Sequence, residues 1–329
     1  MLSRREFLVM AAAAGAGAGL GARVARARTR RDETFFEWKT LREGVVVALG
    51  YGGNAMVVKG KDGGLLVDCK NAPYGTTLRR EAEIQCGKLL AIINTHHHAD
   101  HTGGNHAFTG DIPTYAHEKG TPRVLGQMNR YVSQAKEAPG QLEGKTGEAV
   151  AKARIEALAY YKHIEERKAA DYAARTGVGD SHSLEVAGVK MALRHFVPGH
   201  TDNDMMGHLP DLNVVHAGDL LFHRMHPFVD ANGGGDTAGW VTSVRKIIEV
   251  CDAKTIVVPG HGEPTDVSGL RGQVEYFVKM RDAVAKAVKD GKSRQEVGEM
   301  DPGVYADYGA ANRRAMVMQA IFDEMAAKK

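Results

Sequence analysis

The chain has 329 residues, 43% of them hydrophobic and 25% charged, so it is long enough for one large domain or two ordinary ones. This composition excludes disordered, collagen-like and coiled-coil proteins, and the lack of any strongly apolar run of about 18 residues excludes a polytopic membrane protein. Four arginines and one glutamate within residues 1–27 account for the whole formal charge of +3. The remainder is neutral and gives no indication of nucleic-acid binding.

Residues 1–27 are typical of an export signal of the twin-arginine type. Arg4-Arg5 is followed by an Ala- and Gly-rich apolar stretch, and Ala25-Arg26-Ala27 offers a small-x-small cleavage site. An Ala-rich helix of the folded domain is disfavoured because the stretch has no amphipathic pattern. We therefore expect a periplasmic or secreted protein without a stable membrane anchor. Three cysteines give no disulfide framework, and pairing of Cys69 with Cys86 stays open.

Apolar runs between Gly-rich turns predict an α/β domain over 35–265, with strands in two rounds. The predicted strands are 45–49, 55–58, 65–67, 89–94, 112–116, 189–196, 205–209, 214–217 and 255–258. Helices are predicted at 76–86, from near Gly103, and at 237–251. Residues 121–176 are rich in Ala, Glu, Lys and Arg and predict a helical insertion, either a wall over a site or helices packed on a sheet. Residues 266–329 predict C-terminal helices packed on the domain.

A histidine-rich run follows the strand predicted at 89–94. Alternate residues of an extended segment point the same way, so His96 and His98 can bind one metal ion. Asp100 and His101, just beyond, can face a second ion. Imidazole nitrogen and carboxylate oxygen are suitable zinc ligands, and a strand-to-loop junction is a common place for a site in α/β proteins.

The motif His96-x-His98-x-Asp100-His101 resembles the signature of the metallo-β-lactamase superfamily. His200 in Pro-Gly-His-Thr-Asp, Asp219 in His-Ala-Gly-Asp-Leu and His261 in Pro-Gly-His-Gly follow in the expected order. The resemblance covers roughly 44–265 and implies a four-layer αβ/βα sandwich of two mixed β-sheets. It also implies two Zn²⁺ ions, with iron or manganese as alternatives. The implied first site is His96, His98 and His200, the second is Asp100, His101 and His261, and Asp219 bridges them.

The implied activity is hydrolysis of an ester, thioester, lactone or related bond of a small molecule by a metal-bridging hydroxide, with Asp100 as the catalytic residue that orients it. The net positive charge of such a site favours an anionic substrate. A periplasmic metallo-β-lactamase is an alternative, although those enzymes usually carry Cys or Ser at the position of Asp219. A non-catalytic metal-binding accessory protein is a second alternative, which the complete ligand set disfavours. The oligomeric state stays open.

Four further residues are candidates for supporting roles. Asp68 and Asp204 are expected either to orient a ligand histidine or to cap a turn. His223 and His226 are candidates for the substrate pocket because they follow Asp219 closely. We expect His97 either to have a structural role or to support a metal ligand, and we expect ordinary packing or exposure for His106, His117, His163, His182, His195, His208 and His216.

Overall fold

The computed structural model describes residues 34–108, 110 and 112–327. The predicted export signal, 1–27, lies outside these residues. Seven strands form the first sheet in chain order: β1 (Glu37–Arg42), β2 (Val45–Leu49), β3 (Ala55–Lys59), β4 (Gly64–Val67), β5 (Leu89–Ile93), β6 (Thr114–His117) and β7 (Thr176–Val178). The strands from β1 to β4 are antiparallel and those from β4 to β7 are parallel, so the sheet is mixed.

A second sheet has five strands: β8 (Ser181–Val186), β9 (Val189–Arg194), β10 (Met206–Leu209), β11 (Val214–Phe222) and β12 (Ile256–His261). Their order in space is β12-β11-β10-β9-β8. The pair β11 and β12 is parallel while the other neighbours are antiparallel, so this sheet is mixed as well. The prediction of two mixed sheets is confirmed.

Nine α-helices flank the sheets within the described residues. They are α1 (Gly75–Cys86), α2 (Ala99–Thr102), α3 (Gly120–Leu125), α4 (Met128–Gln141), α5 (Glu148–Lys162), α6 (Thr237–Glu249), α7 (Val267–Lys289), α8 (Arg294–Glu299) and α9 (Arg314–Ala326). Helices α3, α4 and α5 lie in the segment expected to be a helical insertion, and the chain then returns to the first sheet as β7. Across the residues described, no helix combines the length and apolarity needed to cross a bilayer.

Alternation along the strands creates the layers. On β3, Met56 and Val58 pack in the cluster between the two sheets, whereas Val57 packs with α1 on the other face. A third cluster joins the second sheet to α6, α7 and α9, with Trp240 fully buried at its centre. The order is therefore helices, sheet, sheet, helices, which is the predicted four-layer sandwich.

Several boundaries differ from the predictions. Strand β11 runs on to Phe222 instead of ending at Ala217, because all nine of its residues are buried. The helix expected near Gly103 begins at Ala99, within the histidine-rich run. Strands β1, β7 and β8 were not predicted, since their exposed, polar residues leave little apolar signal. The three cysteines, all among the described residues, are free thiols.

Candidate metal centre

The histidine-rich run leaves the end of β5 and enters α2. The chain bends at residues 95–97, so His96 lies in a bend after the strand end, whereas His98 has extended backbone angles immediately before the helix. Asp100 and His101 lie within the single turn of α2. The backbone N–H groups of His101 and Thr102 donate to the carbonyl of His98 (both 3.0 Å), which fixes the turn against the strand end.

The other three candidate ligands come from the second sheet. His200 lies in the loop after β9, Asp219 lies within β11, and His261 ends β12. The parallel pairing of β11 with β12 shifts register on both sides of Gly218, and such irregularities redirect side chains locally. A Cβ atom at Gly260 would collide with the Asp219 carboxylate, so only glycine lets the two strands bring Asp219 and His261 together here.

The first group of donor atoms consists of His96, His98, His200 and Asp219. Their ligand atoms all lie within 4.8 Å of one another. His200 Nε2 is 2.8 Å from His98 Nδ1, and Asp219 Oδ2 is 3.4 Å from His200 Nε2 and 3.8 Å from His96 Nε2. The residues that the sequence assigned to the first ion, with Asp219, therefore meet in one place.

The second group consists of Asp100, His101 and His261, whose ligand atoms also lie within 4.8 Å of one another. His261 Nε2 is 3.2 Å from Asp100 Oδ2 and 3.4 Å from Asp219 Oδ2. His101 Nε2 is 3.1 Å from Asp219 Oδ1. Because Asp219 approaches members of both groups, its carboxylate lies between them.

Each of four imidazoles has its outer nitrogen engaged by an acceptor. His101 Nδ1–H donates to Asp68 (2.7 Å), His98 Nε2–H donates to Asp230 (2.8 Å), and His200 Nδ1–H donates to the Phe228 carbonyl (2.8 Å). The remaining support is supplied by Thr95, whose hydroxyl donates to Asp68 (2.8 Å) and accepts from His96 Nδ1–H (3.0 Å). A neutral imidazole has one N–H, so the inner nitrogen of each ring carries a lone pair.

These inner lone pairs converge without a donor to satisfy them. His96 Nε2, His101 Nε2 and Asp219 Oδ1 are buried and have no hydrogen-bond partner. Lone pairs on His98 Nδ1 and His200 Nε2 face each other at 2.8 Å. Buried acceptors that lack a partner are costly, and a cation at each group would satisfy them. The donor set of imidazole nitrogens and carboxylate oxygens thus fits divalent metal ions such as zinc, iron or manganese.

The electrostatics differ between the two groups of donors. In the second group burial acts to lower the pKa of His101 and His261, but nearby carboxylates, chiefly Asp219, outweigh it and raise both pKa values, that of His261 to about 9, so a cation bound there would displace protons. The first group is different. Burial lowers the pKa of His200 to about 3 and also holds the pKa of His96 well below its usual value, so both rings are neutral and available as ligands. Burial alone would raise the pKa of Asp219, but the surrounding imidazoles, chiefly His101 and His261, outweigh it and hold the pKa well below its ordinary value. Asp219 is therefore an ionised, acceptor-only group.

Comparison with protein families agrees with the geometry. The family model described as the metallo-beta-lactamase superfamily matches residues 49–261, which contain all seven candidate ligands. The chain belongs to the metallo-β-lactamase superfamily. The resemblance drawn from the sequence motifs is therefore confirmed, and the family supports the prediction of a metal-dependent hydrolase.

Three curated relatives are similar to this superfamily member over part of their length. A probable metallo-hydrolase of Bacillus subtilis, YqgX, is 28% identical over 184 residues, covering 54% of this chain and 71% of its own. A linear primary-alkylsulfatase of a Pseudomonas species is 28% identical over 210 residues (60% and 38%). An uncharacterized protein of Mycobacterium leprae, ML0493, is 34% identical over 93 residues (28% and 42%). The chain thus spans about two fifths of the last two proteins.

Solved structures share the superfamily fold. The crystal structure of the DIM-1 metallo-beta-lactamase matches with a TM-score of 0.53 and 19% identity, over 74% of this chain and 97% of that one. The sec-alkylsulfatase Pisa1 from a Pseudomonas species matches with a TM-score of 0.60 and 16% identity, over 88% and 50%. At these identities the likeness concerns the fold alone, and it supports the four-layer architecture.

A cavity of about 630 Å³ opens onto the metal centre of this superfamily member. Asp100, Asp219, His98 and His261 line it, and the side chain of Asp100 is 32% exposed there. Aromatic rings and polar side chains complete the wall: Phe222, Phe228, Asn71, Gln127, Arg130, Asp230 and Arg313, with Gly52 and Ala99. The helical insertion contributes Gln127 and Arg130 to this lining, so it borders the cavity as well as packing on the sheet.

The four candidate supporting residues have different positions. Asp68 contacts a candidate ligand, as described above. Asp204 instead accepts hydrogen bonds from the backbone N–H (2.9 Å) and hydroxyl (2.6 Å) of Thr201, so it braces the loop that carries His200. The expectation that His223 and His226 line the pocket is not met, because neither is among the residues lining the cavity. His223 Nδ1–H donates to the Glu263 carbonyl, and His226 Nδ1 contacts the Tyr276 hydroxyl (both 2.7 Å).

Sequence reasoning missed Asp230 as a supporting residue. It lies 132 residues from His98, in an irregular loop after β11, and it also approaches His97 Nε2 (3.5 Å). No periodicity marks such a position, and only its place after Pro227-Phe228-Val229 could have drawn attention to it.

Another unpredicted cluster joins His117, Asp180 and His195, whose ligand atoms lie within 4.8 Å of one another. The backbone N–H of Lys119 donates to His117 Nδ1 (3.4 Å), so Nε2–H of the same ring donates to Asp180 (3.0 Å). The contact between His117 and Asp180 is thus an ordinary hydrogen bond.

Proposed function

We propose that the protein is a metal-dependent hydrolase that holds two divalent cations, zinc by preference, and cleaves an ester, thioester, lactone or related bond of a small molecule. The observation that carries this proposal is the convergence of imidazole lone pairs and two carboxylates beside an open cavity. Imidazole and carboxylate donors suit zinc, and paired metal sites are typical of hydrolytic enzymes.

The positions of the seven candidate ligands assign them to two cations. His96, His98 and His200 would hold one cation, Asp100, His101 and His261 the other, and Asp219 would contact both. When bound, the cations supply Lewis acidity, which activates water and stabilises negative charge on the scissile group.

Asp100 is suited to orient the attacking water, because its carboxylate belongs to the second group and is also partly exposed to the cavity. Asp68, Thr95 and Asp230 fix the rings by their hydrogen bonds, which is the usual task of groups behind metal ligands.

The test starts from metal content. We expect about two zinc equivalents per chain after loading, and chelator-sensitive hydrolysis within a panel of aryl esters, thioesters, lactones and phosphodiesters. Primary alkyl sulfates are added to the panel because a curated relative is named an alkylsulfatase. Nitrocefin is added to test the β-lactamase alternative. Binding of two metals with no turnover in any arm would favour the accessory-protein alternative.

A paired substitution tests the role of Asp219. We expect Asp219→Ala to lose at least one metal equivalent and most turnover while retaining the circular dichroism spectrum of the fold. Asp211→Asn, which changes an exposed carboxylate in the connection between β10 and β11, is the control and keeps both. Two metals and full turnover in Asp219→Ala would reject the role.

We also propose export through the twin-arginine route, supported by Arg4-Arg5 and the apolar stretch that follows. Residues 1–27 fused to a folded reporter should direct it to the periplasm. Replacement of both arginines by lysine should retain the reporter in the cytoplasm, and unchanged export of that variant would overturn the proposal.

A further inference from the structure

Two arginines reach the cavity beside the metal centre from different parts of the chain. Arg130 is carried by α4 of the helical insertion, and Arg313 immediately precedes α9 in the C-terminal segment. Neither guanidinium forms an ion pair with a carboxylate of the described residues. By contrast, Arg123 pairs with Asp202 and Arg314 lies 3.6 Å from Asp301.

Arg313 is the more constrained of the two. Its Nη1 is buried and has no hydrogen-bond partner among the residues described. Its guanidinium carbon lies 5.8 Å from the centroid of the Phe222 ring, and that ring stacks on His261 with centroids 5.0 Å apart. A candidate metal ligand, an aromatic ring and a cation thus form one wall. A buried N–H donor without an acceptor is unfavourable, so the position calls for an acceptor from a ligand.

The chemistry of the lining specifies that ligand. Guanidinium groups bind planar oxyanions through paired N–H donors, and carboxylate is the smallest organic group of this type. Phe222 and Phe228 supply apolar surface next to the arginines. An occupant with an apolar body, a scissile bond at the metal centre and a carboxylate at its far end would complement all three features.

We infer that Arg313, assisted by Arg130, binds a carboxylate of the substrate remote from the scissile bond, so that the enzyme prefers monoanionic acids over neutral analogues of the same shape. This inference rests on the proposed hydrolase function. Arg313 is the principal contact because it is half-buried, lines the cavity and has an Nη1 without a hydrogen-bond partner, and Arg130 contributes less because its side chain is exposed to solvent.

Two esters of one length test the inference on zinc-loaded protein. 4-Nitrophenyl hydrogen glutarate carries a terminal carboxylate, and 4-nitrophenyl pentanoate lacks it. Each hydrolysis consumes one water and releases nitrophenolate and an acid. We expect Arg313→Ala to lower kcat/KM for the glutarate ester by about tenfold or more, mainly through KM, and to change the pentanoate value less than about twofold. Arg130→Ala should act in the same direction by a smaller factor.

Control variants separate recognition from folding. Arg313→Lys keeps the charge without the forked donors and should recover only part of the preference. Arg245→Ala removes an exposed arginine of α6 and should leave both esters unaffected. Equal losses on both esters in an Arg313→Ala protein with an unchanged melting temperature would overturn the inference, as would wild-type indifference between the esters.

A binding measurement distinguishes this inference from the proposed function. If neither ester is hydrolysed, the proposed ester hydrolysis fails. Titration calorimetry of zinc-loaded protein with glutarate then decides about the arginines. Binding by the wild type that weakens about tenfold or more in Arg313→Ala supports the carboxylate subsite. Undetectable binding, or equal binding by both proteins, overturns it.

Discussion

Asp230 provides the sharpest test of how the metal centre is held together. Its carboxylate accepts from His98 Nε2–H (2.8 Å) and from the Gly233 backbone N–H (2.8 Å), with its side chain only 15% exposed. Asp230→Asn keeps the size of the side chain and its contact with Gly233. It replaces the charged acceptor opposite His98 with an amide. His98 then loses the charge-assisted hydrogen bond that keeps its Nδ1 lone pair directed at the first group.

The expected magnitude follows from the position of the bond. Removal of a group that orients a metal ligand costs about 10- to 100-fold in metal affinity, which is about 1.4 to 2.7 kcal/mol. We expect a loss of zinc affinity within this range for Asp230→Asn. The substitution affects only one of the three histidines of the first group, and the hydrogen bond from His200 to the Phe228 carbonyl is unchanged.

The assay is a competition titration with a chromophoric zinc chelator, accompanied by turnover of whichever ester the wild type cleaves. Asp211→Asn serves as the matched control because the residue is exposed and is not among the residues that line the cavity. If Asp230→Asn bound the first zinc within about twofold of the wild-type affinity, hydrogen bonding to His98 would not orient this ligand.

Three further predictions concern other parts of the molecule. Gly260→Ala should lower the zinc content and abolish turnover, because its methyl group would displace the Asp219 carboxylate; a variant that still binds two zinc ions by elemental analysis would contradict this geometry. His117→Ala should leave the zinc content at two per chain, since His117 is hydrogen-bonded to Asp180; loss of an ion would show that the His117 cluster holds one of the two. Trp240→Ala should lower the free energy of unfolding by about 3–5 kcal/mol in urea titrations, because the ring is fully buried; a loss below about 1 kcal/mol would contradict its place at the centre of the cluster.

The sequence predicted the parts of the centre that are encoded locally. His96, His98, Asp100 and His101 lie in one short run, so their spacing alone indicated two groups, and the structure brings them together. The parallel strands that carry Asp219 and His261 were also visible as apolar runs ending in turn residues.

The parts that sequence reasoning missed depend on distant contacts. Asp230 reaches His98 across 132 residues, and Arg313 enters the cavity from beyond the region matched by the family. His223 was a reasonable pocket candidate by its distance along the chain from Asp219. However, β11 extends to Phe222, so His223 is the first residue after the strand. The ring of His223 is hydrogen-bonded to the Glu263 carbonyl and does not line the cavity.

The hydrogen-bonded series His101–Asp68–Thr95–His96 has a consequence for metal loading. Its two ends are imidazoles from different groups, and the carboxylate and hydroxyl between them are buried. An ion that binds one imidazole also restricts the motion of Asp68 and Thr95, which lie between the two imidazoles. This reduces the conformational entropy that is lost when a second ion binds the other imidazole. Occupancy at the two positions should therefore be cooperative, with mixed populations of empty and fully loaded protein at substoichiometric zinc.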